Sequence, residues 1–225
     1  KYHIYEQKQK EEMQFQQWAK GRAEYENIFT EWPKVYDAWK PYAKQRVYIY
    51  EGILGSSLAK FASTLIKLEN DMVKDGVDAP IVKKDLEAAN NARKTFIAEE
   101  NKISDQQILA ATCRMFYNDI DKNQHPAGFY ENLRSAYGDL KEPETYKKWS
   151  TAVFSNTMLL NDAKWDAFLK KPDAVTLQND PAYAYAGSFV KSYLSKYDPF
   201  FQQFVLKNND LGRLYLKGIM EMDPK

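Results

Sequence analysis

The sequence is poor in the residues on which many functions depend. It holds one cysteine, Cys113, and two histidines, His3 and His125, in 225 residues. A lone cysteine excludes an internal disulfide and so says little about redox compartment. It lies in the amphipathic stretch ILAATCRMFY, where a small buried thiol is the ordinary expectation. Neither histidine has a partner at helical spacing or a nearby cluster of cysteines and carboxylates, so no zinc site is expected. His125 precedes Pro126 and reads as a turn residue; His3 reads as solvated. Glycine and proline number nine each and fall mostly at apparent helix ends. No phosphate-binding glycine loop or dinucleotide fingerprint occurs, and no cofactor is expected. Neither sign of charge is in excess: 32 Lys and Arg against 31 Asp and Glu leave a net charge of +1. That balance offers no argument for a nucleic acid or an anionic membrane as partner. No run approaches the roughly 18 apolar residues of a membrane span, and no basic-then-apolar leader opens the chain. The opening KYHIYEQKQKEEM already reads as helix, and Lys1 is expected to be a cut inside a longer polypeptide. Strand alternation is nearly absent too; Ala174 to Leu177 is its best candidate.

What the chain does have is apolar and aromatic mass. Hydrophobic residues make up 44% and aromatics 15%, ample for a packed interior and unlike a disordered chain. Without a basic stripe beside them, the sixteen tyrosines and twelve phenylalanines are better explained by burial than by base stacking. The pattern predicts an all-α fold, an irregular bundle of about eight to ten helices with no constant repeat period. A first helix runs from about Ile4 to Lys20, with Gly21 ending or weakening it. A second passes Tyr25, Phe29 and Trp32 to Pro33, and a third runs from Tyr36 into YIYEGILGSSLAKFASTLIKLENDM. Pro80 opens a helix whose seam is Val82, Leu86, Ala89, Arg93 and Phe96. Ser104 with Gln107 three residues on fits a capping box. Further helices are predicted over Pro126 to Tyr137 and Pro143 to Leu160, and another after Asn161-Asp162 that Pro172 stops. Asp180-Pro181 gives an N-cap and a first-turn proline. Behind it, Tyr183, Val190, Tyr197 and Phe204 fall seven apart, with Ala186, Tyr193 and Phe200 as companions, and Pro199 should break that seam.

The search for chemistry finds little. EGILGSS (Glu51 to Ser57) offers serines, but they lack the glycine flanks of a nucleophile elbow, and Gly52 and Gly55 read as easing a bend or a close helix approach. Asp119 with Asp121, and Glu99 with Glu100, read as solvated faces or ends of helices rather than a matched acid and base. Trp18, Trp32, Trp39, Trp149 and Trp165 belong at helix crossings, or less simply along a peptide cleft.

Some segments are too particular for amphipathicity to explain. The tail GRLYLKGIMEMDP (Gly212 to Pro224) closely resembles the end of the inserted helical domain of bacterial serine dipeptidyl-peptidases, the dipeptidyl-peptidase 7 and dipeptidyl-peptidase 11 family. EEMQFQQWAKGRAEYENIF (Glu11 to Phe29), YEGILGSSLAKFA (Tyr50 to Ala62) and the segment from Phe154 to Val190 resemble the same family, in the same order. The stretch from Asp75 to Gln107 carries no such motif.

The resemblance implies a parent enzyme in which a chymotrypsin-like double β-barrel carries a Ser-His-Asp triad and this helical part covers the cleft. It implies release of dipeptides from the free N-terminus of oligopeptides, and a periplasmic or cell-surface location in a Gram-negative bacterium. The histidine and aspartate would precede this chain and the serine would follow it, so residues 1–225 form a fragment of the helical (lid/regulatory) domain, begun after its first helices, with no catalytic, cofactor-binding or metal-binding residue. Its partners would be the barrel of the same polypeptide and oligopeptide substrates, with a homodimer open. Arg213, Tyr215 and Met220 are the expected anchors of the lid on the barrel. The alternative is an autonomous helical module that binds a peptide or glycan through its tryptophans and tyrosines.

Overall fold

The computed structural model describes residues 3–224; Lys1 and Tyr2, the first two residues of the predicted opening helix, lie outside that range. Twelve α-helices and no strand occur among the described residues. They form two compact units, one built from the chain up to Ala43 together with the part from Tyr197 on, the other from Lys44–Lys196.

The first unit begins with α1 (Ile4–Ala19), which buries Phe15 and Ala19. Gly21 ends it at φ 76°, a left-handed backbone that a side chain would resist. The next helix, α2 (Ile28–Val47), carries both Pro33 and Pro41 inside it. The predicted stop at Pro33 and restart at Tyr36 is therefore corrected. Each proline deletes one backbone donor, yet Val35 and Trp39 beyond Pro33 are buried and hold the helix in register. The last helix of the chain, α12 (Asp198–Met222), completes this unit. Its start two residues after the preceding helix ends at Lys196 matches the break predicted at Pro199.

The second unit opens with a π-helical turn at Tyr48–Gly52 and a 3-10 turn at Ile53–Gly55. The predicted continuous helix is thus broken at its glycines. A Cβ at Gly52 or Gly55 would meet nothing within 4 Å, so they serve the bend rather than a close approach. Then follow α3 (Ser57–Thr64), α4 (Ile66–Asp75) and α5 (Pro80–Glu99). In α5 the proline stands in the first turn and Val82, Ala89, Arg93 and Phe96 form the buried seam. The capping-box reading at Ser104 is also corrected: α6 (Lys102–Asp119) is capped by Asn101, whose side chain accepts the Ser104 amide. After α7 (Phe129–Tyr137) and α8 (Pro143–Asn156), Asn161 caps α9 (Asp162–Lys170), as expected. The strand candidate Ala174 to Leu177 is helical instead, within α10 (Ala174–Gln178), because Asp173 accepts the Thr176 amide and starts a turn. Asp180 then caps α11 (Pro181–Lys196).

Aromatic rings from six helices fill the second unit. Phe189 of α11 packs on Phe116 of α6 at 4.9 Å and on Phe129 of α7 at 5.0 Å. Tyr185 lies 4.9 Å from Trp149 of α8, and Phe61 of α3 stacks on Phe96 of α5. A fully buried side chain of this size contributes on the order of 1.5–3 kcal/mol, and this face of α11 places one on nearly every turn.

Candidate functional site

The first unit holds the most distinctive surface. Its centre is Phe15, fully buried with Ala19, Tyr25 and Ile28, and flanked by Trp18, Phe29, Trp32 and Tyr215. Phe15 meets Tyr215 edge-on at 4.7 Å, an arrangement that ring quadrupoles favour. The helices can approach this closely because α12 carries Gly218: a Cβ there would stand 2.6 Å from the Phe15 ring. Outside this centre opens a cleft of about 800 Å³ walled by Phe29, Trp32, Tyr36 and Tyr215. Glu11, Glu12, Asp37 and Lys8 also line it, so its charge is net negative. Trp32 is held in place by donating Nε1–H to Asn208 Oδ1 at 2.8 Å. Burial, with the Glu12 and Glu11 charges behind it, raises the Tyr215 pKa, so its phenol stays neutral. Ring faces beside carboxylates suit a peptide segment carrying an ammonium or guanidinium group.

The three residues expected to anchor a lid do not act alike. Tyr215 is committed inward, to Phe15, Phe29 and Trp32. Arg213 and Met220 are exposed, and at seven residues apart they share a helix face, Arg213 pairing with Asp210 at 3.6 Å. Of the tryptophans, Trp39, Trp149 and Trp165 are buried at helix contacts, whereas Trp32 lines the cleft.

The serines of EGILGSS serve structure. Ser56 is buried, accepts the Ala59 amide as the cap of α3 and donates to Asp105 at 3.1 Å. His125 Nε2 contacts the Ile120 carbonyl at 2.9 Å, and burial lowers its pKa. Cys113 is buried as expected, and its thiol pKa is pushed far up by desolvation. Among the described residues no group of three or more His, Cys, Asp or Glu could hold a metal, and no helix is long and apolar enough to cross a membrane.

Three acidic residues organise the second unit; the sequence marked Asp180 as a cap but not Glu69 or Asp105. Asp180 accepts the amides of Met158, Ala182 and Tyr183 and the Thr157 hydroxyl. Glu69 of α4 accepts from Gln178, the Tyr183 hydroxyl and Lys191. Asp105 accepts from the start of α3. Arg93 donates to the Leu159 carbonyl at 2.9 Å and to Asp162 at 2.8 Å. The reading of Glu100 as a solvated helix end needs correction, because both of its carboxyl oxygens are buried.

This all-helical arrangement is one found inside bacterial dipeptidyl-peptidases. Porphyromonas endodontalis DPP11 in complex with the dipeptide Arg-Glu matches it with a TM-score of 0.69 at 18% identity, over 98% of this chain and 31% of that one. The same enzyme in an alternate conformation matches with a TM-score of 0.63 at 17% identity, over 94% and 31%. At such identities the likeness establishes the fold. In sequence the chain is 25% identical over 224 residues to an Asp/Glu-specific dipeptidyl-peptidase of Flavobacterium psychrophilum, covering 96% of this chain and 30% of that protein. The Peptidase S46 family model matches residues 1–225, and the chain belongs to that family. It spans about a third of the length of these relatives.

Proposed function

We propose that this chain is the helical cap of a serine dipeptidyl-peptidase that releases dipeptides from the unblocked N-termini of oligopeptides. The supporting observation is the family match along the whole chain, set against relatives three times as long. In this reading the catalytic groups belong to a barrel elsewhere in the same polypeptide, where a serine attacks with histidine as general base. The cap contributes no reacting atom. It excludes water and gates entry, which strengthens electrostatic contacts at the site it covers. Arg213 and Met220 on the outer face of α12 dock against the barrel, and Tyr215 supports them from inside by fixing α12. The periplasm or cell surface is the compartment that goes with this activity.

The test uses the full polypeptide. It should release dipeptides from a free-amine peptide and none from its N-acetylated form. Arg213→Ala with Met220→Ala should lower kcat/KM about tenfold, equivalent to about 1.4 kcal/mol, while leaving acylation of the serine by a small reactive probe possible. Absence of dipeptide release, or hydrolysis by residues 1–225 alone, would sink the cap reading. Unchanged turnover and melting temperature in the double variant would sink the anchoring. The aromatic cleft favours a second reading, an autonomous peptide-binding module. It predicts saturable binding of a lysine-rich peptide that Trp32→Ala abolishes, with no dependence on a barrel.

A further inference from the structure

At the corner between α5 and α6, two carboxyl groups meet where neither the cap reading nor helix capping accounts for them. Glu100 ends α5 with φ −70° and ψ 126°. Both of its carboxyl oxygens are shielded from solvent and neither finds a donor on the protein. The Asp105 carboxyl of α6 lies close enough to bear on it through charge and hydrogen bonding. Asp105 is itself only 3% exposed. Its oxygens are already engaged as acceptors, Oδ1 from the Ser57 amide at 2.8 Å, Oδ2 from the Leu58 amide at 2.8 Å and from Ser56 Oγ at 3.1 Å.

Two ionised carboxylates cannot hydrogen-bond each other, so one of the pair must carry a proton. Asp105 already accepts three hydrogen bonds from the start of α3, whereas the Glu100 oxygens accept none. The proton therefore belongs on Glu100. We infer that Glu100 and Asp105 share a single proton that acts as a pH-sensitive latch, holding the α5–α6 corner against the start of α3 when present and releasing it when lost.

Most influences on Glu100 act in one direction. Burial raises its pKa most, the Asp105 charge and hydrogen bond add to the rise, and Lys102 at the start of α6 opposes it, leaving a value pushed up to about 7. The start of α3 offers Asp105 the uncharged donors Ser56, Ser57 and Leu58. From α11, Tyr185 feels the Asp105 charge and is held neutral, its pKa raised chiefly by burial. The native state thus binds a proton that the unfolded chain, with an ordinary glutamate, gives up nearer pH 4.5. The latch contributes fully below that value and is lost as pH rises toward and through about 7.

The experiment compares the full polypeptide with its Glu100→Gln variant, which keeps a neutral donor at every pH. Melting temperatures should agree within about 1 °C near pH 5, and the variant should melt about 2–4 °C higher near pH 8.5. Hydrogen exchange of a peptide spanning residues 96–105, corrected for intrinsic rates, should accelerate through neutral pH in the wild type and stay flat in Glu100→Gln. Melting curves that run parallel across this range would overturn the latch. So would wild-type exchange that shows no pH-dependent step near neutrality, a result that stands even if Glu100→Gln fails to fold.

Discussion

The two units of this chain solve one problem in different ways. Both bury many aromatic rings, but the second pins its helices with buried charges. Glu69, Asp105, Asp180 and Arg93 each join segments far apart in sequence, and each is nearly inaccessible to water. The first unit relies on shape. Phe15, Tyr25, Phe29, Trp32 and Tyr215 interlock, and its ion pairs, such as Lys217 with Glu24 at 2.6 Å, lie at the surface. Buried charged networks penalise every misregistered alternative because an unpaired charge in a core is costly. Aromatic packing tolerates small slips but not added volume. The second unit should therefore fail by loss of a partner, and the first by overfilling.

Three substitutions sharpen that contrast. The largest effect is expected from Glu69→Ala, which strands Lys191 and the Tyr183 hydroxyl; denaturant unfolding should show a loss of about 3–5 kcal/mol. Burial pushes the Glu69 pKa up, but Lys191, Gln178 and Tyr183 more than offset it, so the net shift is downward. A lowered carboxylate pKa contributes stability above the ordinary value near 4.5 and loses it as pH falls below that. Acid titration of Glu69→Gln should accordingly lack a destabilising step present in the wild type. Next comes Gly218→Ala in the first unit, where the new methyl meets the Phe15 ring; calorimetry should register about 1–3 kcal/mol. Pairing it with Phe15→Leu should recover part of that loss, and strict additivity would show that the clash is not with Phe15. Smallest is Lys217→Ala, which removes an exposed, salt-screened pair and should leave the melting temperature unchanged.

How much of this was legible in the sequence follows the range of the interaction. Local signals came through well. Asp180-Pro181, Asn161 and Pro80 stand at helix starts, and Pro199 marks the break between α11 and α12, because caps and prolines act within a turn. Local signals misled where two competed. Asn101 took the cap from Ser104, and Asp173 turned the short alternation after it into helix. Long-range nodes left no trace. Glu69 reads as one more carboxylate on a charged helix, since nothing near it announces a tyrosine 114 positions later. Gly218 lay inside the tail run that carried the family resemblance, yet only the position of Phe15 gives a reason for a glycine there. The candidate cleft was half legible: Trp32 was among the residues suited to one, but two of the carboxylates beside it, Glu11 and Glu12, come from a different helix.

The division of the chain also sets an order of events during synthesis. Residues 44–196 are continuous, so all of that unit emerges before the last helix, whereas the other unit needs both flanking stretches. At translation speeds of about 5–20 residues per second, α1 must wait on the order of 10–40 s for α12. Throughout that interval the Phe15 and Trp32 surfaces stand open to chaperones or to neighbouring nascent chains. Ribosomes stalled just after Lys196 emerges should carry a protease-resistant middle and a still-cleavable leading helix.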